Sequence, residues 1–206
     1  LSARKIAVQT GLAYNTVHKA LMTLRHSILA HANDGERIIL SGEIELDESY
    51  FGGRRKSKNR RGTEGKIPVF GILSRKGRVS VSMVPDVKGA TLLDLTVKMV
   101  RRGSIVYTDK YKAYDSLMFC GYRHLSVDHS SKFSDGKVHI NGLEGFWSWA
   151  KERLLKHHGI SPQWFPLYLK ELEFRYNHRH DPDLFERLVD YMSDLIPTYD
   201  YGEEDQ

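Results

Sequence analysis

Glu43-Ile44-Glu45-Leu46-Asp47 alternates charged and apolar residues over five positions, which is the period of a half-buried strand. A glycine-rich basic loop follows, Gly52 to Gly65. Two further strand-like runs come next, residues 67–73 and 78–84, joined by a turn at 75–77. Beyond them the period changes. Residues 90–102 read as a helix carrying Leu92, Leu93, Leu95, Val97, Met99 and Val100. Residues 104–108 read as a short buried strand ending at Asp109. A helix at 111–118 and a strand at 124–127 follow, then three helices at 141–157, 162–177 and 182–195. Ser161 and Pro162 suit the start of the second of these, a side-chain cap followed by proline in the first turn. Three strands, then alternating helix and strand, then helices is an α/β pattern built on a mixed sheet with flanking helices.

The composition bounds the rest. The chain has 206 residues, 40% hydrophobic and 28% charged, which suits one full domain with a small appendage and excludes global disorder. No apolar run approaches the roughly 18 residues of a membrane span, and no signal-like segment opens the chain. The single cysteine, Cys120, excludes an internal disulfide framework and a multi-cysteine zinc site, so the cytoplasm is the expected compartment. Thirty-one basic residues against 26 acidic ones give +5, and the excess is local. Arg54, Arg55, Lys56, Lys58, Arg60, Arg61 and Lys66 face only Glu64 between positions 54 and 66. Residues 197–206 form an acidic tail. The first residue is Leu1, so an upstream segment is expected to be missing.

Residues 1–31 precede this domain, which spans 41–196, and look helical. Ala7, Gly11 and Val17 have helix-turn-helix spacing: a small residue, a turn glycine and a buried aliphatic. Leu12, Val17, Ala20, Leu21 and Leu24 would form the buried side, and residues 32–35 a linker. Asn15, Thr16 and Lys19 would open a recognition helix for the major groove of DNA. A plain helical hairpin without a nucleic-acid role fits the same residues.

The chemistry gathers at three acids. Asp47 and Asp109 are read as strand ends, where sites collect in open α/β sheets. Glu144 lies on a helix. At 100° per residue, Asn141, Glu144, Ser148 and Lys151 share an arc of about 80°, apart from the apolar stripe Leu143, Phe146, Trp147, Ala150 and Leu154. Two aspartates and a glutamate supply the hard oxygen ligands that Mg²⁺ prefers. Two ions about 4 Å apart serve a phosphodiester by activating the attacking oxygen and stabilising the leaving one. Lys151, about two turns beyond Glu144, is placed for a phosphate. Each acid also has an ordinary reading, as a turn residue or part of a solvated face.

Three stretches together resemble a known family. They are Glu45-Leu46-Asp47-Glu48-Ser49-Tyr50-Phe51-Gly52-Gly53, Tyr107-Thr108-Asp109-Lys110-Tyr111-Lys112-Ala113-Tyr114, and residues 138–151 around Asn141, Glu144 and Lys151. In order and content they resemble the DDE-type transposases of the ISXO-type, Merlin-like insertion sequences. Glu171 to Arg179 resembles that family's closing helix. The resemblance implies a ribonuclease H-like fold and a site using Mg²⁺ or Mn²⁺, with two ions. Asp47 and Asp109 match the family's first two acids, and 34 residues separate Asp109 from Glu144. The family's third position is Asn or Glu, and this chain has both. Glu144 is preferred as a metal ligand because a carboxylate binds the ion more strongly than the Asn141 amide. Lys151 matches the basic residue after the triad. The family's N-terminal zinc ribbon is absent here, in keeping with a truncated start.

The implied activity is cleavage of insertion-sequence ends and their joining to target DNA, on the bacterial or archaeal nucleoid. Double-stranded DNA is the partner, and joining two ends implies a homodimer or larger assembly on it. Two rival readings are a non-catalytic, transposase-derived DNA-binding protein and a structure-selective nuclease of the same fold. Among ten histidines, His124, His129 and His139 bracket the site; His129 and His139, which resemble family positions, are read as orienting groups, with a zinc site disfavoured for want of ligand spacing. The basic loop is read as a phosphate clamp rather than a solvated hairpin tip. Replacing Arg54, Arg55, Arg60 and Arg61 with Ala should then flatten the plot of log affinity against log salt on duplex DNA, by roughly 0.9 per lost phosphate contact. An unchanged slope would refute the clamp.

Overall fold

The alternation that opens at Glu43 runs on past Asp47. In the computed structural model, which describes residues 1–34, 39–52, 65–75, 77–109, 112–127, 139–157 and 159–195, strand β1 is Glu43–Phe51. Asp47 therefore lies in mid-strand, not at a strand end. The sequence hides this because Asp47, Glu48 and Ser49 put polar groups on both faces in succession. The strand persists because β2 (Ile67–Ser74) pairs with it antiparallel along its length, from Ile44↔Ser74 to Phe51↔Ile67.

Next come β3 (Val79–Met83), α3 (Gly89–Met99), β4 (Ile105–Asp109), a 3₁₀ helix (Lys112–Cys120), β5 (Arg123–Val127), α4 (Asn141–Leu155) and α5 (Phe165–Asn177). The sheet order is β3-β2-β1-β4-β5. The first three strands form an antiparallel meander, and β4 and β5 run parallel to β1. This is the ribonuclease H-like mixed sheet. Three expected elements differ. The helix expected at 111–118 is a 3₁₀ helix. The one expected to reach residue 102 ends at Met99, and Val100 turns extended to bridge Leu40. The one expected to start at 162 starts at Phe165, after a turn in which Ser161 O accepts from the N–H groups of Trp164 and Phe165.

Each face of the sheet has its own core. Ile44, Leu46, Phe70 and Ile72 pack with Leu92 of α3 and with Tyr114 and Leu117 of the 3₁₀ helix. Phe51, Val69, Leu73, Val79 and Val81 pack with Leu143, Phe146, Trp147 and Ala150 of α4 and with Leu169 and Leu172 of α5. The odd residues of β1 thus face α4.

Strand β3 is an edge, and α5 closes it. Asn177 accepts from Val79 N–H at 2.8 Å and donates to Val79 O at 2.8 Å. Glu173 accepts from Val81 N–H at 2.7 Å, while Lys170 donates to Val81 O at 3.1 Å and to Glu173 at 2.8 Å. Three side chains spaced three and four apart on one helix face match main-chain groups two residues apart on a strand.

This sheet with its helices forms one unit, residues 36–177; residues 1–35 and 178–206 form a second. In that second unit Ser2 caps α1 (Ala3–Thr10), and Gly11, with φ of 71°, takes the left-handed conformation that ends the helix and turns the chain. Helix α2 (Tyr14–Asp34) continues through most of the expected linker, residues 32–35. Of its expected buried side, Val17 is buried and Leu21 and Leu24 are partly so, while Leu12 and Ala20 are exposed. Helix α6 (Leu184–Ser193) packs on α2: the His31 ring stacks on Tyr191 at 3.8 Å and bonds Asp194 at 2.9 Å. No helix among the described residues is long and apolar enough to cross a membrane.

Asn177→Ala strips two main-chain groups of their partners and should cost about 2 kcal/mol in urea unfolding. Arg175→Ala, on the same helix but removing only an exposed pair with Glu171, should cost under about 0.5 kcal/mol.

Candidate active site

The sheet register brings the first two acids together. Strands β1 and β4 pair in parallel through Glu43↔Ile105, Ile44↔Val106 and Glu45↔Tyr107. The ladder stops two residues short of Asp47 and Asp109; the charge of Asp109 reaches Asp47, and the strand period puts both acids on the same side of the sheet as Glu45 and Tyr107. That is the face covered by α4.

Helix α4 runs along β1 in the same direction. Leu143 N–H donates to Glu45 Oε2 at 3.0 Å, and four residues on, Trp147 Nε1 donates to Asp47 Oδ2 at 3.0 Å. The indole reaches the carboxylate because Gly71, the cross-strand partner of Asp47, has no side chain. A Cβ there would stand 2.5 Å from Trp147 Cζ2. This explains a glycine in the middle of a buried strand.

The Asp47 carboxyl is strongly perturbed. Burial pushes its carboxyl up to about 6; the Glu48 N–H and the Trp147 indole pull it down, and the charges of Asp109 and Glu144 push it further up. Glu144, exposed in the first turn of α4, is therefore close enough for its charge to act on Asp47. Asn141 is the exposed first residue of the same helix. Ser148 and Lys151 are exposed along the same edge, and Lys151 Nζ stands 5.7 Å from the Phe51 ring, at the far end of β1. Among the described residues no three His, Cys, Asp or Glu side chains are grouped closely enough to hold a metal ion. The donor set still suits one, because Asp47, Asp109 and Glu144 offer hard oxygens whose mutual repulsion a divalent cation would relieve.

Several contributors escaped the sequence reading. Glu48, on the opposite face of β1, is pushed up to about 7, chiefly by burial, with the Tyr114 hydroxyl offsetting part of the rise. Tyr114 is itself almost fully buried, and burial beside Glu48 raises its phenol far above the ordinary value, so it remains a donor. Glu45 is 1% exposed. Its place two residues before Asp47 was the available signal. Trp147 was read as core packing; it is that, and it also holds Asp47.

The remaining expected positions are scattered. His124 Nε2 lies 2.8 Å from the Thr108 hydroxyl, on the strand that carries Asp109. His139 Nδ1 lies 3.8 Å from Glu45. Asn15, Thr16 and Lys19 are exposed in the first two turns of α2. Arg54, Arg55, Lys56, Lys58, Arg60, Arg61 and His129 lie outside the described residues.

A family model for the ISXO2-like transposase domain matches residues 39–177, the stretch that contains this site and the helix closing the sheet. The chain belongs to this family. An uncharacterized transposase-like protein of Haemophilus influenzae is 42% identical over 103 residues, covering 50% of this chain and 84% of the relative. An uncharacterized protein in transposable element ISH50 of Halobacterium salinarum is 28% identical over 196 residues, 84% of this chain and 64% of that relative, so the chain spans less than two thirds of its length. Among solved structures, a pre-cleavage Mos1 transpososome gives a TM-score of 0.39 at 12% identity, covering 94% of this chain and 74% of that one. A Mos1 strand transfer complex gives 0.40 at 13%, covering 94% and 73%. Likenesses that weak carry no argument, and the fold assignment rests on the sheet order.

In this family member the raised Asp47 carboxyl has a measurable consequence. An acid raised from 3.8 to about 6 in the folded state contributes stability that is intact below pH 3.8 and lost as pH rises through 6. Two units correspond to at most about 3 kcal/mol. In EDTA, Asp47→Asn should raise Tm above that of the parent chain, with a gain that grows from pH 5 to pH 7. A Tm below the parent's at pH 7.5 would contradict the buried, acid-flanked setting of Asp47.

Proposed function

We propose that the chain is a DNA transposase that cleaves the ends of its insertion sequence and joins them to target DNA. The observation that carries this reading is the register of β1 and β4. It runs toward Asp47 and Asp109, and the charges of Asp109 and Glu144 both act on Asp47, which supports the reading in a member of a transposase family. Acids gathered at this density serve phosphoryl chemistry more readily than they serve stability, since their repulsion opposes folding.

Asp47, Asp109 and Glu144 would hold Mg²⁺ or Mn²⁺, with Asn141 beside them as a neutral oxygen donor. Two such ions, when bound, would supply activation of the attacking oxygen and neutralisation of the leaving oxygen. The chain's own groups do the rest. Trp147 fixes the Asp47 carboxylate through its indole N–H, and packing over Gly71 keeps the indole in place. Lys151, on the same edge of α4 as Glu144, would meet a DNA phosphate. Arg54, Arg55, Lys56, Lys58, Arg60 and Arg61 extend the phosphate contacts, and Asn15, Thr16 and Lys19 on α2 contact the end sequence. Water opens the phosphodiester to leave a 3′-hydroxyl, and that hydroxyl attacks target DNA in a second displacement. No protein side chain is needed as a covalent nucleophile. The working form is a homodimer or larger assembly on double-stranded DNA, acting in the cytoplasm on the nucleoid.

The test is strand cleavage and strand transfer on end-containing DNA with Mg²⁺ or Mn²⁺. Asp47→Ala and Asp109→Ala should each lower the cleavage rate at least about 1,000-fold, the scale of losing a group the transition state depends on. Glu144→Ala should be nearly as severe, and Asn141→Ala milder. Full activity in Glu144→Ala with loss in Asn141→Ala would move the third ligand to the amide. Cleavage without strand transfer would identify a nuclease. Binding without any metal-dependent nicking would identify a DNA-binding protein only.

A further inference from the structure

The chain buries a charged group where packing alone asks for none. Glu45 is 1% exposed, inside the face shared by β1, β2 and α4. Its Oε2 accepts from Leu143 N–H at 3.0 Å, and its Oε1 meets Arg75 Nε at 3.2 Å. Ile140, at the N-cap of α4, offers no side-chain cap. Glu45 supplies that cap from another strand, where the free N–H groups and positive end of the helix favour a carboxylate. Gly142 lets the helix come this close: a Cβ there would stand 2.8 Å from Glu45 Oε2 and 3.0 Å from Leu73.

Arg75, at the turn after β2, ties the arrangement together. Its Nη1 donates to Glu43 at 2.8 Å, its Nη2 to His139 O at 2.6 Å, and its guanidinium lies 3.7 Å from the Tyr107 ring centre. Tyr107 in turn donates to Glu43 at 3.3 Å. Each contact sits next to a proposed ligand in the chain: Glu45 two residues before Asp47, Tyr107 two before Asp109, and Leu143 one before Glu144. A buried ion pair adds little stability over apolar residues of the same size, so its presence is better explained by the geometry it enforces.

We infer that Glu45 and Arg75 are positioning residues: together they anchor the first turn of α4 and so fix where Glu144 stands relative to Asp47 and Asp109. This rests on the metal-site reading above. Neither residue touches the reacting atoms. The rigid planar fork of the guanidinium sends Nε, Nη1 and Nη2 to Glu45, Glu43 and His139 O while its face lies on Tyr107, a spread that a compact lysine ammonium does not reproduce.

Two mild variants test it, with Arg78→Lys, an exposed arginine of the same turn, as control. Arg75→Lys keeps the charge. Glu45→Gln keeps an oxygen for Leu143 N–H but sets an amide against Arg75. In the metal-free protein, hydrogen exchange at 141–144 should rise at least tenfold in both variants, with β2 and α5 unchanged. The Mn²⁺ midpoint for strand cleavage, and for Mn²⁺ binding followed by electron paramagnetic resonance, should rise at least fivefold with the KM for DNA unmoved. A purely structural role would lower the folded fraction without moving the Mn²⁺ midpoint. Unchanged exchange, or faster exchange with an unmoved midpoint, in a chain whose parent cleaves DNA overturns the anchor alone. A parent chain that neither binds Mn²⁺ nor cuts DNA overturns the function proposed above, and the positioning role with it.

Discussion

Helix α4 lies along β1, and the charged end of that contact constrains everything around it. A carboxylate at Glu45 meets the first turn of the helix, an indole at Trp147 meets the carboxylate of Asp47, and Phe51 closes the far end against the same indole. The contact admits no side chain at Gly71 and none at Gly142. Two glycines on different elements are thus explained by one helix-on-strand approach. The same approach buries an acid that burial and two neighbouring acids disfavour ionising. Folding therefore works against the site, and the two apolar cores on either side of the sheet must hold it together.

What was legible in the sequence follows from local period. The alternation at Glu43 to Asp47, the apolar runs of β2 and β3 and the stripe on α4 each encode an element within a few residues. The three acids stood out because they recur within ordered motifs. What the sequence did not show lies in contacts between distant positions. Arg75 reaches Glu43 and Glu45, about 30 residues back, and His139, 64 residues on. No period marks it. Glu45 looked like the polar half of an alternating strand, which it is; only the covering helix turns that face inward and makes the residue structural.

The 3₁₀ helix shows a related limit. Residues 111–118 have helical spacing, yet the segment has to carry Tyr114 and Leu117 down onto Ile44, Leu46 and Phe70 before the chain enters β5. A tighter winding, with about 2.0 Å rise per residue, meets that demand. Tertiary packing chose the winding. It also decided how far β1 runs, because the ladder to β2 continues through residues whose polarity reads as a strand end.

The closure of β3 by α5 has a consequence for the company this domain can keep. With Asn177, Glu173 and Lys170 holding its outer main-chain groups, that rim is sealed against a visiting strand, as edges open to pairing invite adhesion between chains. A neighbouring chain therefore finds no unpaired main chain to add to at Val79 and Val81.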